Sequence, residues 1–451
     1  MNEREAALPV ETGESNAFLR NARVLLVTPL DYGSRPNNSE HNRAAYYSRI
    51  GCRVAVLSKT TNRSARLIDM LIDTVTCRTR SQDRRGIREV AVDPFFNYFA
   101  GFRQSAEVRE AGNSHRVPLR LLLVRLLSPL SVLRDVFFLP CFLYAAYRQP
   151  ERTFDVCLGV GPWGGLTGWA LRRLGKASVF VYVDRDFEAG LVPDRLRRGY
   201  TEAIESFGIR KADVVVCASR LLAERRSSRA KVEMELIPNG VDFERFEAAR
   251  RCDRRGHQLI YVGNVISWSG LEAAIRAMPR IREAVPQASL VIVGDGLPDY
   301  VDSIERLIRD CGVTEHVKLL GKRPVEELGE YLAAAKIGLA NSAPVAFRKY
   351  ACPLKVIEYM AAGVPVIATA GTEAGDLITR MDCGVAIQYG VDSFADAVIA
   401  LMQDSATYER LRQNGIAHAR SMTWDALLHR EALAIHRACT RRSITLGTGE
   451  A

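Results

Sequence analysis

Residues 352–369 read Cys-Pro-Leu-Lys-Val-Ile-Glu-Tyr-Met-Ala-Ala-Gly-Val-Pro-Val-Ile-Ala-Thr. Pro353 fixes its own φ and suits the first turn of a helix. Leu354, Ile357 and Met360, with Ala361 beside them, recur at three- and four-residue steps, which predicts a short helix with one apolar stripe. Gly363 can take positive φ and end that helix, and Pro365 cannot continue it. Val364 to Ala368 then reads as a buried strand. Lys355 falls in the first turn and Glu358 one turn later. Unpaired backbone N–H groups, the positive end of the helix dipole and an amine together suit a phosphate. The Glu358 carboxylate can accept hydrogen bonds from the vicinal hydroxyls of a ribose. The same spacing also makes an ordinary i, i+3 ion pair on a solvated face.

The chain is too long for one ordinary core, at 451 residues, so two domains are expected. With 47% hydrophobic and 25% charged residues the composition is globular, not disordered. The net charge of +10 is carried mainly by arginine and points to phosphates or an anionic membrane face. No helix-turn-helix, zinc-finger or RNA-binding signature is present, so nucleic acid is not an expected partner. The ten cysteines are scattered without a Cys-x-x-Cys pair, which suggests neither a zinc site nor a disulfide framework. The polar, acidic start shows no signal peptide, and the expected compartment is cytoplasmic.

Residues 1–20 read as a disordered lead. Val24 to Leu30 is the first buried strand, His41 to Ile50 a helix and Arg53 to Ser58 a second strand. This βαβ start predicts a parallel sheet with working loops at the strand C-terminal ends. The loop Asp31 to Glu40 is therefore a candidate acceptor-side loop, with Gly33, Asn38 and His41 as contributors. Val117 to Tyr147 is apolar and aromatic but broken by Arg120, Arg125, Arg134, Asp135 and two prolines. Its longest uncharged run is too short to span a bilayer. Two readings stay open: core helices, or helices lying in a membrane surface.

Gly159-Val-Gly161-Pro-Trp-Gly164 matches G-x-G-x-x-G after a strand, and Asp184 and Asp186 follow at the spacing of a dinucleotide fold. This supports an alternative, an NAD(P)-dependent oxidoreductase. Ser178 to Val183 is the next strand, ending in Arg185 and Asp186 at the crevice. Glu247 to Gly256 reads as a linker. A second run of alternating strands and helices begins at Leu259 and leads to the opening stretch.

Ile237-Pro-Asn-Gly-Val-Asp242, Tyr261-Val-Gly263, Leu290 to Gly296, Val317 to Gly321 and Pro353 to Pro365 occur in order. Together they resemble the retaining GT-B glycosyltransferases of family GT4. The resemblance implies two Rossmann-like domains facing across a cleft: residues 21–246 on the acceptor side, with a C-terminal helix 421–440 packing back, and 257–420 binding a nucleotide sugar. It implies that Glu358, the second Glu of the E-x7-E motif, holds the ribose and that Lys355 holds the diphosphate. Gly263, Asn264, Arg323, Pro324, Leu354, Tyr350 and Arg348 would complete the donor site. Arg185 and Asp186 stand where the family has His-Asp, and with Lys355 are the catalytic candidates. The chain departs at the first Glu of the motif, which is Tyr350. It departs also at the usual Arg and Lys after the first strand, which are Asn264 and Ser269.

The expected activity is hexosyl transfer with retention, from a nucleotide-diphosphate sugar, UDP in preference to GDP, in bacterial surface polysaccharide assembly. The acceptor would be a glycan or lipid-linked. No metal and no cofactor is expected, since the chain shows no clustered Asp-x-Asp motif of the sort carried by metal-dependent glycosyltransferases of the other major fold; the resemblance implies that the leaving phosphate takes the acceptor proton. An anionic membrane surface is a further expected partner, with peripheral attachment to the inner face. The lost family residues leave a catalytically silent sugar-nucleotide-binding protein as another alternative.

Overall fold

The computed structural model describes residues 17–29, 32, 39–59, 79–84, 86–92, 130–192, 195–230, 234–252, 256–444 and 446. The chain divides into two units, Met1–Pro238 with Asp425–Ala451, and Asn239–Trp424.

The first unit is built on β1 (Arg23–Val27), α1 (Ser39–Arg49), β2 (Arg53–Lys59), β3 (Thr79–Arg84), β4 (Ile87–Val92) and α2 (Leu130–Tyr147). It continues through β5 (Phe154–Val160), α3 (Gly161–Arg173), β6 (Ala177–Asp184), α4 (Arg195–Lys211), β7 (Val214–Cys217), α5 (Arg220–Ala230) and β8 (Glu235–Leu236). The sheet order is β3-β4-β2-β1-β5-β6-β7-β8, parallel except for β3 against β4. All seven residues of β5 are buried, the mark of a strand covered on both faces. The chain winds outward from β1 to β2 and β4, then returns to β5 on the other side of β1. That reversal opens a crevice at the strand C-terminal ends.

Two buried charge clusters tie this unit together. The Arg226 guanidinium donates to Asp184 Oδ2 and to Glu205 Oε2, both at 2.8 Å, with all three side chains buried. The Glu431 carboxylate accepts from Arg43 Nε at 2.9 Å and Tyr47 Oη at 3.0 Å, which fastens the C-terminal helix to α1.

The second unit contains α6 (Glu247–Arg251), β9 (Gln258–Val262), α7 (Leu271–Ala284), β10 (Ser289–Val293), α8 (Pro298–Asp310), β11 (Val317–Leu319) and α9 (Leu328–Ala334). β12 (Ala335–Ala340), α10 (Leu354–Ala362), β13 (Val366–Thr369), α11 (Glu373–Arg380), β14 (Gly384–Ile387), α12 (Val391–Gln403) and α13 (Ser405–Ser421) follow. Its sheet, β11-β10-β9-β12-β13-β14, reverses between β9 and β12. The last helix, α14 (Trp424–Arg441), returns to the first unit from Asp425 onward.

Several expectations are corrected. Residues 17–19 of the lead form a 3-10 turn with Leu19 fully buried; residues 1–16 lie outside the described residues. The linker stretch starts as helix α6, whose Ala249 is buried in the second unit. Pro353 is the N-cap of α10, one residue before its first turn, with extended φ and ψ. Gly363 ends α10 at φ +69°, as its neighbours in sequence imply. The antiparallel pair β3 and β4 is absent from the sequence reading because its charged strands carry no clean alternation. In α2, Cys141, Phe142, Ala145 and Ala146 are buried in the core, so this part of the apolar segment is a core helix; residues 117–129 lie outside the described residues.

Candidate donor pocket and acceptor crevice

The reversal between β9 and β12 places three loops around one pocket. β9 runs into Gly263, at φ +138°, and the chain re-enters helix at Gly270. β12 runs into a loop with a 3-10 turn at Arg348–Tyr350 before α10. β13 runs into Thr372, whose Oγ1 accepts from the Gly375 N–H at 3.2 Å and so caps α11. The pocket between them is lined by Ser269, Ser342, Arg348, Lys355, Thr372 and neighbouring small residues, with no carboxylate among them. Two helix starts, of α10 and α11, open on it. The first two loops are joined by the Ala343 N–H donating to Trp268 O at 3.1 Å and by Trp268 standing edge-on to Phe347.

Three donors converge here with no carboxylate in the lining beside them. The Lys355 Nζ lies 3.6 Å from the centre of the Tyr261 ring. A Cβ on Gly263 would stand 3.0 Å from that nitrogen, so glycine leaves the space the ammonium occupies. Burial pulls Lys355 well below the usual lysine range; Arg348 adds to this and Glu358 opposes it. The Ser269 Oγ is buried and makes no hydrogen bond of ordinary geometry, although the Tyr261 and Tyr300 hydroxyls lie near it. The Arg348 Nε is buried and unpartnered too. Buried donors are satisfied in nearly all native proteins, so the Arg348 Nε and the Ser269 Oγ beside the Lys355 amine mark a place for an anion.

The other donor-side candidates divide. Glu358 is half-buried, with its carboxyl raised by burial against the pull of Arg245 and Lys355. Among the described residues it makes no close ion pair with Lys355, although each charge acts on the other across the helix turn. Asn264 is exposed and contributes its carbonyl, which accepts the Tyr261 hydroxyl at 2.7 Å. Leu354 and Tyr350 are half-buried beside the pocket and do not line it. Arg323 and Pro324 are exposed after the edge strand β11, also outside the lining. Sequence reasoning missed Ser342 and Thr372 and noticed Ser269 only as a lost lysine. A Thr-Glu pair after a buried strand was the available signal for the Thr372 cap.

In the first unit, Arg185 and Asp186 follow β6 at the crevice. The Arg185 Nη1 donates to the buried Glu40 at the start of α1 at 2.5 Å, and its Nε donates to Asp186 at 3.2 Å. The expected catalytic cation is thus committed to two carboxylates. His41 stacks on Tyr32 with ring centres 3.7 Å apart. Gly33 and Asn38 lie outside the described residues. The G-x-G-x-x-G reading is corrected. Gly164 brings α3 against β1, where a Cβ would stand 2.5 Å from the Val27 carbonyl oxygen. Gly161 sits at φ +64° with the Glu188 carboxyl against it, 2.4 Å from where a Cβ would be. A carboxyl group holds the helix start that a dinucleotide's pyrophosphate would need. Burial raises that carboxyl to about 8.

Residues 242–418 match the family model described as glycosyl transferases group 1. A GDP-mannose-dependent alpha-(1-6)-phosphatidylinositol monomannoside mannosyltransferase of Mycobacterium tuberculosis is 31% identical over 206 residues, 43% of this chain and 53% of that protein. The chain therefore spans about half the length of the curated relatives it matches. Among solved structures, sucrose-phosphate synthase from Thermosynechococcus elongatus superposes with a TM-score of 0.67 at 18% identity, covering 93% of this chain and 100% of that one. Anabaena HepE in complex with UDP gives 0.60 at 17% identity, covering 92% and 99%. At these identities the structures show the fold, which is GT-B.

Proposed function

We propose that this chain, whose residues 242–418 belong to the group 1 glycosyl transferases on a GT-B fold, transfers a hexose from a nucleoside-diphosphate sugar to an acceptor hydroxyl with retention. The observation that carries the reading is the carboxylate-free pocket where Lys355, the Arg348 Nε and the Ser269 Oγ converge at two helix starts. Cleaving a sugar–diphosphate bond builds negative charge on the leaving phosphate. Fixed donors aimed at that charge lower the barrier, and they act strongly in a site from which water is excluded. Glu358, one turn beyond Lys355, accepts from the ribose hydroxyls. As the resemblance to the retaining GT-B enzymes implies, the leaving phosphate itself takes the acceptor proton, and the donor pocket's lining supplies no carboxylate nucleophile.

The base stays open between uridine and guanosine. The expectation of UDP finds no support in the relative above, which uses GDP-mannose, while HepE was solved with UDP. The acceptor is a glycan or lipid-linked sugar. It would meet the chain at the first unit's crevice, where Asp186, paired with Arg185 but 40% exposed, presents a carboxylate to an acceptor hydroxyl.

The test is thermal shift with UDP, GDP and NAD, followed by turnover of labelled UDP- and GDP-hexoses. Stabilisation by one nucleoside diphosphate, with product of retained anomeric configuration, is the expected result. Stabilisation by NAD alone overturns the reading. Nucleotide binding without turnover over an acceptor panel leaves the silent binding protein as the function.

A further inference from the structure

Three large apolar side chains stand exposed at one place in the first unit. Tyr144 and Tyr147 at the end of α2 are 45% and 65% exposed, and Leu174, just past α3, is 61% exposed. The Lys176 Nζ lies 3.9 Å from the centre of the Tyr147 ring and donates to Arg152 O, which draws the two helix ends together. Arg148 and Arg173, each next in sequence to one of these side chains, and Arg152 are exposed. None of these three arginines has an acidic partner among the described residues. The nearby acids are turned inward and paired: Asp155 with Arg23, Asp213 with Arg172 and Arg442, and Glu151 with Arg88.

Basic residues at helix ends complement the helix dipole, which explains their sign one helix at a time. It does not explain two tyrosines and a leucine left in water among unpaired arginines. An apolar, aromatic centre ringed by cations suits the headgroup level of a bilayer. Tyrosine is enriched there, and each arginine adds attraction to anionic lipid.

We propose that Tyr144, Tyr147 and Leu174, with Arg148, Arg152, Arg173 and Lys176, form a docking surface for an anionic lipid bilayer. The surface keeps Tyr144 and Tyr147 of the apolar segment, while Cys141, Phe142, Ala145 and Ala146 of α2 face the core, and Arg173, Leu174 and Lys176 come from the end of α3 and the turn after it. Both helices end where the parallel strands begin. Docking there leaves the crevice at the strand C-terminal ends uncovered. The inference stands apart from the transfer reading: either can fail alone.

The experiment is co-sedimentation of the full chain with vesicles of phosphatidylcholine alone and of phosphatidylcholine with phosphatidylglycerol, at low and high salt. Binding is expected to the anionic vesicles only and to weaken with salt. Arg148→Glu with Arg173→Glu should lower the partition coefficient more than tenfold, since each lost cation alone is worth on the order of fivefold. Tyr147→Ala with Leu174→Ser should lower it at every salt concentration. Tyr389→Ala, an exposed tyrosine of the second unit, should leave it unchanged. Circular dichroism and thermal melting confirm that each variant folds. Absence of sedimentation with anionic vesicles at low salt overturns the proposal, as does binding that the patch variants do not alter. Capture by heparin without capture by vesicles overturns it too and leaves a general polyanion surface.

Discussion

The Lys355 ammonium stands 3.6 Å from the centre of the Tyr261 ring, in space that any side chain at position 263 would take. The ring face is one of the few neighbours that favours a cation without neutralising it. Tyr261 itself is held by its bond to Asn264 O, and burial raises its hydroxyl to about 12, so it stays neutral. The amine is therefore positioned in advance, with no carboxylate in the pocket lining beside it.

Gly263→Ala tests that arrangement. The φ of +138° strains any residue with a Cβ, and the methyl would lie 3.0 Å from the Lys355 Nζ. The expected cost is about 1–3 kcal/mol of stability, with weaker nucleotide binding besides. Urea unfolding and calorimetry measure the two. Unchanged affinity in a folded variant would separate Gly263 from the lysine.

Lys355→Ala should lower turnover by roughly ten- to a hundredfold, the weight of one charge-assisted hydrogen bond of about 1.5–3 kcal/mol. Binding should suffer less than the chemical step, since the charge on the phosphate grows as the bond breaks. Wild-type turnover in the purified variant removes Lys355 from the mechanism.

Burial depresses Lys355 in the free protein, and a bound diphosphate must raise it again. Above the free value, binding takes up a proton, so affinity falls as pH rises toward the bound value. Calorimetry at alkaline pH, in buffers of different ionisation heat, should show proton uptake. Lys355→Arg should abolish it, because a guanidinium stays charged. Equal uptake in both proteins would mean another group titrates.

Glu358→Gln should weaken the nucleoside diphosphate, because the half-buried carboxyl, drawn on by Arg245 and Lys355 but in no close ion pair among the described residues, can accept from the ribose. A charged acceptor lost at two hydroxyls predicts a fall in affinity of about tenfold. Calorimetry with the nucleoside diphosphate and the matching deoxynucleotide checks it. The deoxy form should lose much of the difference between variant and wild type.

Glu188 offers a stability test. Its carboxyl sits at about 8 against an ordinary 4.5, so the folded state holds an extra proton between these values. That contribution is present below the unfolded value and is lost as pH rises through the window. Glu188→Gln removes the titration. Its melting temperature relative to wild type should climb between about pH 5 and about pH 8. A constant difference would place the titration elsewhere.

The opening helix and its strand were legible in sequence because each signal is local. A proline start, a three- and four-residue stripe and a left-handed glycine end need no partner. Lys355 and Glu358 could be singled out for the same reason. Arg348 is joined to them only through the family resemblance, and Ser269 only as the place of a missing lysine, since they come from different loops and share no local motif. Arg185 read as a catalytic cation until the fold brought Glu40, from the far side of the crevice, within 2.5 Å. The glycines at 159, 161 and 164 satisfied a phosphate-binding pattern, yet close packing of α3 accounts for them.

By itself the sequence determined the two parallel-sheet units, the order of their main elements and the helix that carries Lys355. Periodicity and backbone stops are properties of neighbouring residues. Only the tertiary structure decided which donors share a pocket, which charges are already paired and which apolar side chains remain in water. Those depend on where the chain reverses, between β1 and β5 and between β9 and β12. A reversal juxtaposes residues far apart in sequence, and burial then sets whether each charge is matched or left to await a ligand.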